Sequence, residues 1–209
     1  MSGIRFLPRD ASAEMVLDVL VEELPGRHFE HAEMITNGWD NQVALVDGEW
    51  IFRFPKNAQY RFDTEMSLLH ALRGKFNVPI PDPQFVGQRT RFMGYIKVPG
   101  RIAEDTGLQA LDAVQVKALA EDIARFFLQM HSAMPAEAAL ALGHGTLDAK
   151  GTLTKYSALL DRTADPIAWG VAQDALHLAE LADWDAPPRL VFHDLHPWNF
   201  TLSDLPIRR

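Results

Sequence analysis

Asp194 and Asn199 stand five residues apart in a segment that is dense in groups able to take part in chemistry. The segment reads His193-Asp194-Leu195-His196-Pro197-Trp198-Asn199. An apolar run from Leu190 to Phe192 precedes it, which predicts a short buried strand that leads into a rigid loop. A carboxylate there can accept the proton of an attacking hydroxyl, and an amide oxygen can bind Mg²⁺ beside a triphosphate. The spacing D-x-x-x-x-N therefore favours a loop that transfers a phosphoryl group.

The residues between this pair carry a more specific pattern. Five positions of the motif H-G-D-L-H-P-G-N are matched by Asp194, Leu195, His196, Pro197 and Asn199. On these residues the chain resembles the aminoglycoside phosphotransferase family and its kinase-like relatives, such as choline and homoserine kinases. Two positions depart from the motif, because Phe192 stands where the family has histidine and Trp198 replaces a glycine. The resemblance implies that Asp194 is the catalytic base and that Asn199 binds Mg²⁺.

The same resemblance implies an α+β, bilobal, protein-kinase-like fold. Residues 1–98 are expected to form an N-terminal nucleotide-binding lobe, built from an antiparallel five-stranded sheet with helices. Residues 101–209 are expected to form a partial, mostly helical C-terminal lobe that carries the catalytic loop. The hinge between the lobes is expected at about residues 94–100.

The hydrophobic pattern of the first hundred residues agrees with such an N-terminal lobe. Apolar residues at a helical period predict helices over residues 11–24 and 61–72. Runs typical of strands lie at residues 32–36, 42–46, 49–54, 84–86 and 91–98. The dipeptide Asp47-Gly48 between the second and third runs predicts a tight hairpin.

Two parts of this lobe are expected to hold the phosphates of a nucleotide. The loop over residues 37–41 has one glycine, which alone is typical of an ordinary turn, but the resemblance implies that Gly38 and Asn41 lie against the phosphates. Arg53 lies between two phenylalanines in the third strand, so it points to the face opposite theirs. The resemblance implies that Arg53 holds the α- and β-phosphates and that Glu65, on the next helix, forms an ion pair with it. The alternatives are a solvated arginine and an exposed glutamate, with Lys56 as the second candidate cation.

The segment from Met93 to Gly100 is expected to form the hinge. There an extended backbone can offer N–H and C=O groups to the edge of adenine. The candidates for this contact are Tyr95, Ile96 and Lys97, acting mostly through backbone atoms. The alternative is an edge strand that ends at Pro99-Gly100.

Beyond the hinge the pattern predicts helices and one departure from the family. Apolar spacing predicts a long helix over residues 112–134, and shorter helices over residues 154–160 and 167–181. In the family, a D-F-G-like aspartate that binds Mg²⁺ follows the strand after Asn199. Asp204 is only five residues beyond Asn199, too near for that position, so we expect no second metal carboxylate in this sequence.

The amino-acid composition limits the classes of partner that we expect the chain to bind. The chain has 20 Lys and Arg against 28 Asp and Glu, a formal net charge of −8, which argues against nucleic acid as the main partner. It has no cysteine, so neither disulfides nor thiol chemistry are available. No apolar run approaches the length of a membrane span and no signal peptide is evident, so we expect a cytoplasmic protein without a membrane partner.

Three functions remain open at this point. The first is transfer of the γ-phosphate of ATP or GTP, with Mg²⁺, to a hydroxyl of a small molecule such as an aminoglycoside. The second is a non-catalytic kinase-like module that binds a nucleotide or a partner, which the missing aspartate favours. The third is a metal-dependent hydrolase that uses His193, Asp194 and His196, although Pro197 and Asn199 have no role in it.

Overall fold

The computed structural model describes residues 4–35, 40–57, 61–103, 108, 111–148, 151–152, 173–174, 177–178, 180–181, 186–192, 195–196 and 199–202. The chain divides into two compact units. The first comprises Met1–Pro135 and Leu190–Arg209, and the second comprises Ala136–Arg189. A division into two lobes near residues 94–100 stays a prediction.

A five-stranded antiparallel sheet is the centre of the first unit, as predicted. Its strands are β1 (Ala32–Ile35), β2 (Asn41–Val46), β3 (Trp50–Pro55), β4 (Phe85–Val86) and β5 (Met93–Ile96). The order across the sheet is β1-β2-β3-β5-β4, with every neighbouring pair antiparallel. β5 is shorter than the predicted run 91–98. At its start the N–H of Arg91 donates to the carbonyl of Arg5 instead, at 2.9 Å.

The predicted hairpin between β2 and β3 is present. Asp47 and Gly48 both have a positive φ, +51° and +70°, and the N–H of Glu49 donates to the carbonyl of Val46 at 3.1 Å to close the turn. Val46 pairs with Trp50, so three residues connect the two strands. The carboxylate of Asp47 also accepts hydrogen bonds from the backbone N–H groups of Glu30, at 3.0 Å, and His31, at 2.8 Å. The turn thus also fixes the chain that enters β1.

One face of the sheet packs against helix α1 (Ala13–Glu23), which begins after Ser12. The hydroxyl of Ser12 accepts a hydrogen bond from the N–H of Met15 at 3.3 Å and caps the helix. Fully buried side chains fill the interface: Val16 and Leu20 from α1, and Ala44, Val46, Phe52, Phe54 and Phe92 from the sheet and the segment before β5. This face is the main hydrophobic core, and each such large side chain contributes about 1.5–3 kcal/mol by leaving water.

The opposite face packs against helix α2 (Phe62–Leu72). Phe62 and Met66 of α2 meet a cluster of sheet residues, Ile51, Met93 and Tyr95. Arg91 fixes the start of α2, because its guanidinium bonds Asp63 at 2.6 Å and lies 5.1 Å from the centre of the Phe62 ring. The helix is therefore anchored at the turn that carries Glu65.

A second, two-stranded sheet joins distant parts of the chain. It pairs β6 (Arg101–Ile102) with β7 (Thr201–Leu202), and Arg101 lies opposite Leu202. Gly100 precedes β6 with φ +106°, and a Cβ at this position would lie 2.9 Å from the carbonyl oxygen of Leu202. Only glycine suits both the dihedral angle and the close approach.

Helix α3 (Ala113–Ala133) is the long helix that the sequence predicts. Asp112 and Gln115 form a capping box at its start. In the second unit, α4 (Ala136–Ala141) is the helix that the structure describes in full. The predicted helix over residues 154–160 lies outside the described residues, and of 167–181 only residues 173–174, 177–178 and 180–181 are described. Among the helices described, none is both long and apolar enough to cross a bilayer.

Candidate active site

The Arg53–Glu65 ion pair expected from the sequence is present. Nη1 of Arg53 lies 2.7 Å from Oε1 of Glu65, and the two side chains are 20% and 26% exposed. β3 directs Arg53 away from the core because its neighbours Phe52 and Phe54 are buried on the other face. A partly buried arginine held by a carboxylate keeps its planar donor fork in one place, as phosphate recognition requires.

Tyr95 joins this pair. It is a diagonal neighbour of Arg53 on the sheet, because Ile51 lies opposite Tyr95 and Arg53 lies opposite Met93. Burial raises the pKa of the phenol, and the Glu65 charge raises it further, although the positive charge of Arg53 lowers it in part. The raised pKa keeps the hydroxyl neutral at physiological pH. The sequence predicts that Tyr95 acts mostly through its backbone, because nothing in a lone tyrosine indicates where its hydroxyl points.

Asn41 supplies an unusual polar group on the same face of the sheet. It is 7% exposed, and its Oδ1 has no hydrogen-bond partner within the described part of the chain. Val43, two residues along β2, lies opposite Arg53, so the alternation of the strand puts Asn41 on the face of Arg53. A buried acceptor without a partner costs about 1–3 kcal/mol, which indicates that a water or a ligand completes it. Gly38, predicted to act with Asn41, lies outside the described residues.

The predicted hinge strand presents one of its three candidate residues at an open edge. The N–H of Lys97 donates to the carbonyl of Glu49 at 2.7 Å, towards β3. The carbonyl of Gly94 accepts from the N–H of Gln84 at 2.8 Å, towards β4. Because backbone groups alternate along a strand, Ile96 faces the same edge as Gly94, beyond the last residue that β4 pairs. The N–H and C=O of Ile96 are therefore the groups best placed to meet a base.

Asn199 lies at the end of a short turn that is tied to the segment after the hinge. Its N–H donates to the carbonyl of His196 at 2.7 Å. The residues that follow Asn199 continue the contact, because Phe200 accepts from the N–H of Ala103 at 3.1 Å and the hydroxyl of Thr201 donates to Pro99 at 2.7 Å. Asp194, the predicted base, lies outside the described residues, so its position relative to Asn199 stays a prediction.

Comparison with known proteins identifies the family. The Phosphotransferase enzyme family matches residues 31–208, most of the chain. The chain belongs to this family. No curated protein matches it.

Solved structures of phosphotransferases share its kinase-like fold. The GDP complex of wild-type aminoglycoside 2'-phosphotransferase-IIIa is 26% identical, with a TM-score of 0.70 over 92% of this chain and 68% of that one. The GDP and kanamycin complex of APH(2")-IIia is 29% identical, with a TM-score of 0.66 over 88% of this chain and 65% of that one. Macrolide 2'-phosphotransferase MphH from Brachybacterium faecium, at 22% identity and a TM-score of 0.60, shows the fold alone, over 94% of this chain and 69% of that one.

Phe192, one of the two departures from the phosphotransferase motif, has a structural contact. Its ring meets that of Phe126 on α3 edge to face, with centroids 6.1 Å apart. Phe126 in turn stacks on Phe76, in the segment after α2, at 5.2 Å. The strand predicted over residues 190–192 is wrong, because these residues do not pair with a sheet and Val191 is exposed. The segment that leads into the predicted catalytic loop is anchored instead by this apolar packing. Sequence analysis missed this contact because aromatic residues far apart in sequence carry no mark of their pairing.

The donor chemistry of Asn199 fits Mg²⁺, a hard cation that takes oxygen ligands. Among the residues that the structure describes, no group of three His, Asp or Glu side chains is arranged to hold a metal ion. His193 and Asp194, which the hydrolase alternative needs, lie outside the described residues.

Proposed function

We propose that this chain binds a nucleoside triphosphate and transfers its γ-phosphoryl group to a hydroxyl of a small molecule. The observation that carries the proposal is the partly buried Arg53–Glu65 ion pair on the sheet face that also holds Asn41. Family membership supports it, because kinase-type phosphotransferases use a cation fixed by a helix glutamate to hold the α- and β-phosphates.

In this proposal the N-terminal residues bind the nucleotide. Arg53 bonds the α- and β-phosphates, and Glu65 keeps its guanidinium in position. Asn41, together with Gly38, contacts the phosphates from the loop before β2. Ile96 meets the base through its backbone, with Tyr95 and Lys97 beside it in β5. Both ATP and GTP remain candidates, and the solved structures at 26%, 27% and 29% identity are GDP complexes.

The C-terminal residues supply the chemistry. Asp194 accepts the proton of the acceptor hydroxyl as the oxygen attacks the γ-phosphorus. Asn199 binds Mg²⁺, which when present neutralises charge that develops on the phosphate oxygens. The strand contact between β6 and β7 holds Asn199 near the segment that follows the hinge. An aminoglycoside is the first acceptor to test, because the negative net charge suits a cationic substrate.

Two variants test binding and chemistry separately. Arg53→Met removes the charge at nearly constant length, and we expect the affinity for Mg–ATP or Mg–GTP to fall by about tenfold to a hundredfold, the loss typical of a charged hydrogen bond. Asp194→Asn should bind the nucleotide normally but lose transfer of radiolabelled γ-phosphate. Arg125→Met is the matched control, because Arg125 pairs only with Asp122 in the described contacts of exposed α3.

The outcomes distinguish the proposal from the non-catalytic alternative. Transfer of label to kanamycin or another hydroxyl compound, abolished by Asp194→Asn, supports the enzyme. Nucleotide binding that depends on Arg53, with no transfer to any acceptor and no release of phosphate, supports a binding module. An Arg53→Met variant that binds nucleotide as well as the unsubstituted chain does would contradict both.

A further inference from the structure

Arg91 joins the sheet to the first turn of helix α2, and the proposed function gives this contact no role. We infer that Arg91 is a positioning residue, which holds the start of α2 where Glu65 can form its ion pair with Arg53. The inference rests on the proposed function and adds to it a residue that acts through other side chains.

The side chain of Arg91 makes two contacts with the same helical turn. Its Nη1 bonds Oδ1 of Asp63 at 2.6 Å, and its guanidinium carbon lies 5.1 Å from the centre of the Phe62 ring. Phe62 is itself buried against the sheet, in the cluster that contains Ile51 and Met93. Because the two contacts engage consecutive residues of α2, they restrict both the position and the rotation of its first turn.

The start of α2 depends on contacts from outside the helix more than the starts of α1 and α3 do. Ser12 caps α1 and Asp112 caps α3, each through its own side chain. Arg61, which precedes α2, makes no such capping bond within the described part of the chain. An uncapped first turn frays more easily, since its backbone N–H groups have no partner inside the helix. The contacts of Arg91 therefore restrain a turn that lacks the usual cap.

Glu65 belongs to this same turn. Its N–H donates to the carbonyl of Arg61 at 2.9 Å, and it follows Asp63 by two residues, about 3 Å along the helix axis. Unwinding or outward movement of the turn would carry the Glu65 carboxylate away from Nη1 of Arg53, which is 2.7 Å from it. Arg53 would keep its charge, but its planar donors would no longer be fixed in one orientation.

The backbone from which Arg91 extends is held on two sides. The N–H of Arg91 donates to the carbonyl of Arg5 at 2.9 Å. The three residues before it, 88–90, donate their N–H groups to the carboxylate of Glu23 at the end of α1. A guanidinium on a backbone fixed in this way can hold α2 in place, because its own position is defined. The support of Glu65 thus runs from the N-terminal segment and α1 through Arg91.

The test is Arg91→Met, which keeps a long apolar stem beside Phe62 and removes the charge. We expect the dissociation constants of Mg–ATP and Mg–GTP to rise by about threefold to tenfold, the effect of losing one partly exposed ion pair and one cation–π contact. Adenosine and guanosine have no phosphate for Arg53 to hold, so their affinities should stay within about twofold.

Asp63→Asn removes the same ion pair from its exposed partner. The Asp63 side chain is 80% exposed, so this variant should fold even if Arg91→Met does not. The contact between Arg91 and Phe62 remains, and we therefore expect a smaller rise in the triphosphate dissociation constants, about twofold to fivefold.

Arg73→Met is the matched control. Arg73 lies at the other end of α2, where its Nε bonds Oδ1 of Asp82 at 2.8 Å. The variant removes an ion pair from the same helix but far from the turn of Glu65, and triphosphate affinity should stay within about twofold.

A second background decides whether Arg91 acts through Glu65. In Glu65→Gln the ion pair with Arg53 is already lost, so adding Arg91→Met should weaken triphosphate binding no further. A general loss of stability would instead weaken binding in both backgrounds.

The position of α2 can also be measured without nucleotide. The chain has no cysteine, so Glu33→Cys on β1 and Ser67→Cys on α2, both at exposed positions, provide two specific sites for spin labels. Electron paramagnetic resonance then reports the distribution of distances between the labels. Arg91→Met should broaden this distribution, and Arg73→Met should leave it unchanged.

Four results would each overturn the inference. They are unchanged triphosphate affinity in both Arg91→Met and Asp63→Asn, equal losses for triphosphates and nucleosides, a further loss in the Glu65→Gln background, and an unchanged distribution of label distances. Failure of the unsubstituted chain to bind any nucleoside triphosphate would overturn the proposed function itself, whereas the label distances would still decide whether Arg91 holds α2.

Discussion

The two faces of the five-stranded sheet differ in the kinds of side chain that they carry. On the α1 face, aromatic and aliphatic side chains are fully buried and in contact with one another. Phe52, for example, meets Phe29 and Phe92 edge to face at 5.5 and 5.7 Å. On the α2 face, the apolar cluster is interrupted by the Arg53–Glu65 pair, the Tyr95 hydroxyl and the Asn41 amide, whose oxygen has no partner among the described residues. Not every polar group on this face has a hydrogen-bond partner among the described residues.

This difference indicates that separate residues serve stability and the proposed binding of a nucleotide. Along β3, alternate residues serve the two purposes, since Phe52 and Phe54 are buried in the core and Arg53 faces the candidate site. A strand can therefore carry a charged residue, here a candidate for binding, between two core residues without placing charge in the core. Substitutions in the α1-face core should change the free energy of unfolding, and substitutions of the polar residues on the α2 face should mainly change nucleotide affinity.

The largest expected effect is that of Phe52→Ala. Removing a fully buried ring leaves a cavity among Phe29, Phe85 and Phe92, and should lower the free energy of unfolding by about 3–5 kcal/mol. Arg53→Met, one residue away, should lower it by less, about 1.5–3 kcal/mol, because it removes one hydrogen bond between charged groups and no large apolar side chain. Urea denaturation measures both. Equal losses at the two positions would show that the faces do not differ in this way.

A closer comparison uses Asn41 and Gln42, which are adjacent in β2 and equally buried at 7% exposure. The side chain of Gln42 donates to the carbonyl of Leu7 at 3.3 Å on the α1 side, whereas Oδ1 of Asn41 has no partner in the described structure. Gln42→Ala should cost about 1–3 kcal/mol of unfolding free energy, because it leaves a buried carbonyl unpaired. Asn41→Ala should change it by less than about 1 kcal/mol, since no such bond is lost.

The measurement for this pair is again urea denaturation, now together with nucleotide affinity. Asn41→Ala should weaken Mg–ATP or Mg–GTP binding, and Gln42→Ala should leave it unchanged at temperatures where the variant is folded. The opposite assignment, with Gln42 controlling affinity and Asn41 controlling stability, would reverse the roles of the two faces.

Much of the fold was predictable because it depends on local patterns. The strands, the Asp47-Gly48 turn and helices α1, α2 and α3 follow from periodicity, turn residues and caps that lie within a few residues of one another. The Arg53–Glu65 ion pair was predictable from the resemblance together with strand alternation, although the role of the pair in binding stays a prediction. The family assignment itself rested on five residues of one loop, and the family match over residues 31–208 confirms it.

The remainder depends on contacts between distant segments, which no local pattern encodes. β6 has two residues and no periodicity, and it exists because Thr201 and Leu202, about a hundred residues later, pair with it. Tyr95 and Arg53 are diagonal neighbours only because of the register of β3 on β5. Whether Lys97 or Ile96 meets the open edge depends on that same register. The N–H of Lys97 donates to the carbonyl of Glu49, and predicting this contact would require the geometry of the hairpin.

The smallest effect concerns Glu23, whose carboxylate closes the end of α1 onto the turn between β4 and β5. Its side chain is 2% exposed and accepts backbone hydrogen bonds from Gln88, Arg89 and Thr90. Burial alone would raise the pKa of Glu23, but these three bonds and the charge of Arg89 outweigh it and lower the pKa below its ordinary value of 4.5.

Because the folded pKa lies below the unfolded one, the contribution of Glu23 to stability is complete above about pH 4.5 and is lost as the pH falls through the lower, folded pKa. At acidic pH the unfolding free energy should therefore fall less steeply with decreasing pH in Glu23→Gln than in the unsubstituted chain. The control is Glu22→Gln, at a neighbouring and more exposed carboxylate, and its acidic slope should be steeper than that of Glu23→Gln. A wild-type acid limb retained in Glu23→Gln would show that this contact on the α1 side of the sheet contributes nothing to the difference between the faces.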